Sequence, residues 1–138
     1  MRPDAGAEGQ RWLAQAAHDL DDARFLSTNG RHHLACYLAQ QTAEKALKAV
    51  LYAAGEATVL GHSVADLAKR AAVTDAALAA LVPRASTLDK FYVPTRYPNG
   101  LPGGIPAEAF DADDAARAIA DADDVLSASR EAIGRSGA

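Results

Sequence analysis

The sequence predicts an all-α fold, an up-and-down antiparallel helical bundle, on three observations. Apolar residues recur at spacings of three and four along most of the chain, as they do on one face of an amphipathic helix. No stretch shows the alternation of apolar and polar residues that is typical of a half-buried strand. At 138 residues the chain is long enough to bury a core without cross-links, so we expect one domain over residues 1–138.

Two long helices are predicted at the start of the chain. The first runs from about Glu8 to Ser27 and ends at Asn29-Gly30, residue types that favour a left-handed helix cap. The second starts near Arg31 and continues without Gly or Pro until Gly55. Because the connection is short, the two helices should form an antiparallel hairpin. The predicted apolar stripe of the first helix comprises Leu13, Ala16, Ala17, Leu20, Ala23 and Phe25, with Trp12 at its edge.

Two shorter helices are predicted next. Ser63, with Asp66 three residues later, resembles a capping box, which predicts a third helix from Val64 to about Ala72. We expect Thr74 to cap a fourth helix. Pro83 should kink that helix or split it in two, because the proline ring removes a donor and crowds the preceding turn.

A segment rich in Pro and Gly, from Val93 to Pro106, separates these helices from a last helix of roughly Ala107 to Ile133. Such a segment cannot be regular. Irregular segments of this length are usually functional or disordered, so its side chains are candidate functional residues. Its prolines recur every four residues, at Pro94, Pro98, Pro102 and Pro106.

Polar side chains follow one flank of the second helix in two rows. Helical spacing places Gln40, Glu44 and Lys48 in the first row. Two interpretations are open: the rows are a solvated helix face with a Glu44 to Lys48 pair, or Lys45 and Lys48 bind an anion in a groove. The second row comprises Tyr37, Gln41, Lys45, Lys48 and Tyr52.

Arg96 and the nearby Tyr92 and Tyr97 are the candidates in and beside the irregular segment. Flanking prolines restrict the backbone around Arg96, and a guanidinium held in this way can bind a phosphate through two hydrogen bonds. The alternative is a salt bridge from Arg96 to the Asp-rich last helix. The two tyrosines either stack on a base or seal the helical hairpin.

His62 is the histidine best placed to act. It precedes the cap of the third helix, where an anion would meet free backbone donors. Capping or packing is the alternative role of a histidine at such a place. No Ser/His/Asp or Cys/His arrangement supports a covalent mechanism, so we assign no catalytic residue.

The formal charge of −4 argues against a protein that coats nucleic acid through bulk electrostatics. Residues 31–100 carry +3 between ends of −2 and −5, so a bound anion should meet a few fixed cations there. Cys36 is the only cysteine, and no cluster has the spacing of a metal site, so we expect no metal and no cofactor. Without a signal peptide or an apolar run of membrane-spanning length, a cytoplasmic location is expected.

Several motifs together resemble one family. The run QQTAEKALKA, residues 40–49, resembles the second helix of the HEPN family, the small helical "higher eukaryotes and prokaryotes nucleotide-binding" domains, in their stand-alone bacterial form. A first helix with Trp12, the helix start at residues 61–63 and the run YVPTRYP at residues 92–98 resemble the same family in the same order. This resemblance covers nearly the whole chain. It implies a helical homodimer with a nucleotide-binding cleft, often encoded beside or fused to a minimal nucleotidyltransferase.

Many HEPN proteins are metal-independent ribonucleases, whose motif is Arg, four to six residues and then His, near the later helices. Here no His follows Arg96, and the formal match of Arg11 with His18 lies in the first helix instead. Because this chain departs from the motif of the family's ribonucleases, we expect a protein without catalysis of its own.

We expect a HEPN-like homodimer that binds a nucleotide or an RNA phosphate and acts with a minimal nucleotidyltransferase. The amines of the second helix and the Arg96 guanidinium should converge on one anion-sized recess. Two alternatives remain: a ribonuclease toxin of a toxin–antitoxin pair, using Arg96 with His62 or His18, and a purely structural partner protein. The expected binding residues are Gln41, Lys45, Lys48, His62, Tyr92, Arg96 and Tyr97.

Overall fold

A computed structural model of the chain describes residues 4–136, and every regular element in this range is helical. The expected all-α bundle is therefore confirmed. Residues 1–3 and 137–138 of the expected single domain lie outside the described range. The α-helices are α1 (Ala5–Thr28), α2 (His32–Ala53), α3 (Val64–Thr74), α4 (Val82–Asp89), α5 (Pro106–Ala109) and α6 (Ala112–Ser136). Two 3₁₀ segments cover Ala76–Leu81 and Pro98–Gly100.

The hairpin of α1 and α2 is the centre of the fold, and α6 packs against α2. Gly30 joins the hairpin with a positive φ of 76°, a conformation that glycine adopts without a steric penalty. At Gly9 the two helices approach so closely that an added Cβ would lie 2.8 Å from the Cβ of Ala53. The predicted apolar stripe of the first helix is wrong at one position, because Phe25 is 68% exposed.

Pro83 does split the predicted fourth helix, and it lies in the first turn of α4. The predicted cap at Thr74 is wrong, because Thr74 ends α3. Asp75 caps the 3₁₀ segment instead, and its carboxylate accepts a hydrogen bond from the backbone N–H of Ala77. The capping box is confirmed in its main part, since the Ser63 hydroxyl accepts from the backbone N–H of Asp66.

The predicted last helix is two helices, because the backbone at Phe110 is extended and separates α5 from α6. Asp111 and Asp114 then form a reciprocal cap at the start of α6. The backbone N–H of each donates to the carboxylate of the other, at 3.0 and 2.8 Å. Within residues 4–136 no helix has both the length and the apolar composition needed to cross a membrane.

Candidate functional site

The Arg96 guanidinium lies among three tyrosine rings. Its central carbon is 4.3 Å from the centre of the Tyr37 ring, 4.7 Å from that of Tyr92 and 4.9 Å from that of Tyr97. The three distances are within the range of cation–π contacts. Nε and one terminal nitrogen also donate to the backbone carbonyl of Tyr92, at 2.9 and 2.7 Å. The alternative of a salt bridge to the last helix is wrong, since no carboxylate of residues 4–136 forms an ion pair with Arg96.

Short-range contacts hold the irregular segment around Arg96. Thr95 is fully buried, and its hydroxyl donates to the carbonyl of Phe91. Gly100 packs against Pro94 so closely that a Cβ on it would lie 2.9 Å from the proline Cα. The guanidinium is therefore presented by a segment that is fixed on both sides.

His62 joins this group through Tyr92. The two rings stack with their centres 4.8 Å apart, and the imidazole is 59% exposed. Nδ1 of His62 lies 3.3 Å from the carboxylate of buried Glu44. Because an ionised carboxylate only accepts hydrogen bonds, Nδ1 is the donor where this contact is a hydrogen bond.

A buried polar network on α2 contacts His62 through Gln40 and Glu44. Gln40 donates to Glu44 at 3.2 Å and to the His62 carbonyl at 3.0 Å. Gln41 donates to the Gln40 side chain at 2.8 Å, and Lys48 to Glu44 at 3.1 Å. The interpretation of this row as a solvated face is wrong, because Gln40, Glu44 and Lys48 are 0%, 4% and 6% exposed.

The backbone donors at the start of α3, where the sequence predicts an anion, are already occupied by Asp89. Its carboxylate accepts from the backbone N–H groups of Val64 and Ala65 and from the Ser63 hydroxyl. His62 therefore stands beside a helix start that is capped from within the protein.

Lys45 lies apart from the other candidates. Its ammonium is 2.5 Å from the carboxylate of Asp19 on α1, which also accepts from Gln15 at 2.9 Å. Lys45 lines a recess of about 540 Å³, the Trp12 recess, whereas Arg96 lines a different recess of about 300 Å³. The expected convergence of Lys45, Lys48 and Arg96 is wrong, because Asp19 and Glu44 pair the two amines. The Trp12 recess is lined by Glu8, Arg11, Trp12, Ala14, Gln15, His18 and Lys45.

The recess beside Arg96 is lined on one side by α2. His33 and Leu34 face the irregular segment across it. Partial burial, together with the charges of Arg31 and His32, lowers the pKa of His33, so its imidazole is neutral at physiological pH. Arg96 therefore supplies the fixed positive charge of this recess.

The buried polar network on α2 and the rings around Arg96 and His62 together connect six of the seven expected residues. These six are Gln41, Lys48, His62, Tyr92, Arg96 and Tyr97. Sequence reasoning missed three members. Tyr37 and Gln40 belong to the predicted rows but have no predicted role in a site, and Glu44 is predicted only as half of a helix pair. A buried acid between a histidine and a lysine is a signal of such a network, but it needs burial to be known.

Neither a metal site nor the ribonuclease motif is built around Arg96. Among residues 4–136 no group of three or more His, Cys, Asp and Glu side chains is close enough to hold a metal. Arg11 and His18 do share the Trp12 recess, away from Arg96.

Comparisons with known proteins agree on one family. The HEPN domain model matches residues 10–132. TT1696 from Thermus thermophilus, a solved crystal structure, is 36% identical over 91% of this chain and 98% of its own, with a TM-score of 0.80. ST0689, described as an archaeal HEPN homologue, is 34% identical over the same shares, with a TM-score of 0.76. No curated protein matches the chain. The family resemblance is confirmed, and this chain belongs to the HEPN domain family.

Proposed function

We propose that the protein binds a nucleotide or an RNA phosphate at Arg96, as a homodimer that acts with a minimal nucleotidyltransferase and has no catalysis of its own. The observation that carries the proposal is the Arg96 guanidinium, which is held among three tyrosine rings without a carboxylate partner among the described residues. A fixed, unneutralised guanidinium beside aromatic rings suits a phosphate next to a base.

The ligand contacts are divided by exposure. Tyr97 is 51% exposed and His62 59%, so both can touch a ligand, with a base stacked on the Tyr97 ring and the imidazole near the phosphate. Gln41 is half-buried at the edge of the same network. Lys48 is buried against Glu44, so in this proposal it holds the network in place rather than touching the ligand.

Calorimetric titration with ATP, GTP and a short single-stranded RNA tests the binding. We expect heat of binding for at least one of them, and Arg96→Gln should weaken that binding about tenfold or more, as expected for a charge-assisted hydrogen bond. Arg117→Gln is the matched control, because Arg117 is an exposed arginine of α6 whose pair with Asp114 is 3.4 Å long. No heat with any ligand, or equal losses in the two variants, would exclude the proposed site.

A ribonuclease is the second candidate function, and one observation favours it. His62 Nδ1 faces Glu44 while its ring stacks on Tyr92, which also contacts Arg96. A histidine oriented by a carboxylate beside an arginine has the parts of an acid–base site for phosphodiester cleavage. Purified protein should then cleave RNA in the presence of EDTA, and His62→Asn should abolish cleavage. Intact RNA after incubation with the wild-type protein removes this candidate.

The partner protein is tested separately. A pull-down of the full chain should recover a nucleotidyltransferase, and sedimentation should give a dimer mass. A monomer at micromolar concentration would contradict the dimer part of the proposal without touching the Arg96 site.

A further inference from the structure

We propose that the Trp12 recess is a second small-molecule site, which takes a planar aromatic compound carrying one phosphate or carboxylate. The site is distinct from the Arg96 site in its lining residues. Its lining includes the indole of Trp12 and the cationic side chains of Arg11 and Lys45, and these are the two kinds of group that such a ligand would need.

The indole of Trp12 is fixed in place. It stacks on Tyr52 with ring centres 5.1 Å apart, and the Tyr52 hydroxyl accepts from the backbone N–H of Val59 at 3.1 Å. The Lys48 ammonium lies 5.8 Å from the centre of the indole ring. Because this indole is already ordered, the binding of a ligand ring against it should cost little conformational entropy.

Lys45, Arg11 and His18 supply the polar side of the recess. Asp19 is 5% exposed and fixes the Lys45 ammonium, which retains two further donors. Arg11 is 79% exposed, and Glu8 engages only one of its terminal nitrogens. Each cation can therefore still donate to a ligand.

The balance of charge limits what binds. Asp19 and Glu8 offset the charges of Lys45 and Arg11, so the recess does not attract a polyanion strongly. Most of the affinity must then come from contact of an aromatic ring with Trp12, and the acidic group fixes its orientation. This favours a compound with one ring system and one acidic group over inorganic phosphate or a polyphosphate.

Trp12 is the only tryptophan, so intrinsic fluorescence reports directly on this recess. Excited at the red edge of indole absorption, the wild-type protein is titrated with AMP, adenosine, benzoate and inorganic phosphate. We expect a saturable change with AMP or with benzoate. Adenosine and inorganic phosphate should each bind at least about tenfold more weakly than the better of these. No saturable change with AMP or benzoate, or equal affinity for inorganic phosphate, would overturn the proposal.

Variants separate this site from the Arg96 site. Arg11→Gln should weaken the fluorescence-detected binding about threefold to tenfold without unfolding the protein, because the ion pair of Arg11 lies within α1 and is exposed. Arg96→Gln should leave it unchanged. The opposite pattern, loss with Arg96→Gln and no loss with Arg11→Gln, would place the ligand at the other site and overturn this proposal alone.

Discussion

The guanidinium carbon of Arg96 lies 4.3 Å from the centre of the Tyr37 ring, although one residue is in the irregular segment and the other on α2. Together with the two backbone hydrogen bonds to Tyr92, this contact ties the segment to the central hairpin. The position of Arg96 is thus set by α2 as well as by the flanking prolines.

Tyr37→Leu should loosen the segment, because it removes a ring from the guanidinium while keeping an apolar side chain of similar position. We expect the free energy of unfolding to fall by about 0.5–2 kcal/mol, the range of a partly desolvated cation–π contact. Proteolysis should also cut sooner within residues 93–105. Tyr97→Leu is the control, since its ring is 51% exposed and its loss should cost less. Equal stability of the two variants in urea would show that Tyr37 does not anchor the segment.

Glu44→Gln should be strongly destabilising, because it leaves the Lys48 ammonium buried without a counter-charge. Breaking a buried pair in this way costs about 3–5 kcal/mol. Adding Lys48→Met to the same chain should recover most of the loss, since the double variant buries no unpaired charge. Urea denaturation of the single and double variants measures both effects.

The control for the Glu44→Gln variant is Glu108→Gln. Glu108 is an exposed glutamate on α5, so this change should leave stability unchanged. If the double variant proved as unstable as Glu44→Gln alone, the hydrogen bonds from Gln40 and His62 to Glu44 would matter more than the charge pair.

Cys36 should make stability depend on alkaline pH. Burial, followed by the charges of Asp114 and Asp111, raises the pKa of its thiol from 9.0 to about 12. The folded thiol therefore stays protonated while the unfolded one ionises, so the contribution is complete below pH 9.0 and is lost as pH rises towards 12. Near pH 10 the loss should be about 1–2 kcal/mol.

Urea denaturation across this pH range measures the effect, and Cys36→Ala should show a shallower fall than the wild-type protein. A thiol reagent should label the native protein slowly and the unfolded protein at once, because Cys36 is buried. Since Cys36 is the only cysteine, the labelling reports on it alone. Rapid labelling of the native protein at neutral pH would contradict the burial of the thiol.

Gly9→Ala should destabilise the hairpin, because its Cβ would lie 2.8 Å from the Cβ of Ala53 and 3.0 Å from the carbonyl oxygen of Ala49. We expect a loss of about 1–3 kcal/mol from overpacking. Gly134→Ala is the matched control in α6, where an added Cβ meets nothing within 4 Å. That change should raise stability by about 0.4–1 kcal/mol, because alanine restricts the unfolded chain. A thermal melt that ranks the two variants the other way would refute the close helix crossing.

Local patterns predicted most of the fold. The helical spacing, the Ser63 cap and the break at Pro83 are set by neighbours within a few residues, and each appears in the structure. Errors arose where tertiary packing decides. Phe25 has helical spacing but faces solvent, and the extended backbone at Phe110 interrupts what reads as one helix.

The candidate site was predictable in part. The residue types were evident from the sequence, but the acidic partners that neutralise Lys45 and Lys48 were not. Asp19 and Lys45 are 26 residues apart, and only the register of α1 against α2 brings them together. The burial of Gln40, Glu44 and Lys48 likewise depends on the segment that carries His62. A single sequence contains no direct signal of either relation.

The central claim is that the Arg96 guanidinium meets the phosphate of a bound nucleotide or RNA. The most direct measurement is the NMR signal of its Nε–H group, assigned by its loss in Arg96→Gln, during titration with the ligand that calorimetry selects. We predict a saturable shift of this signal, with the same midpoint as the calorimetric curve. Binding of that ligand to saturation with the Arg96 signal unmoved would contradict the account.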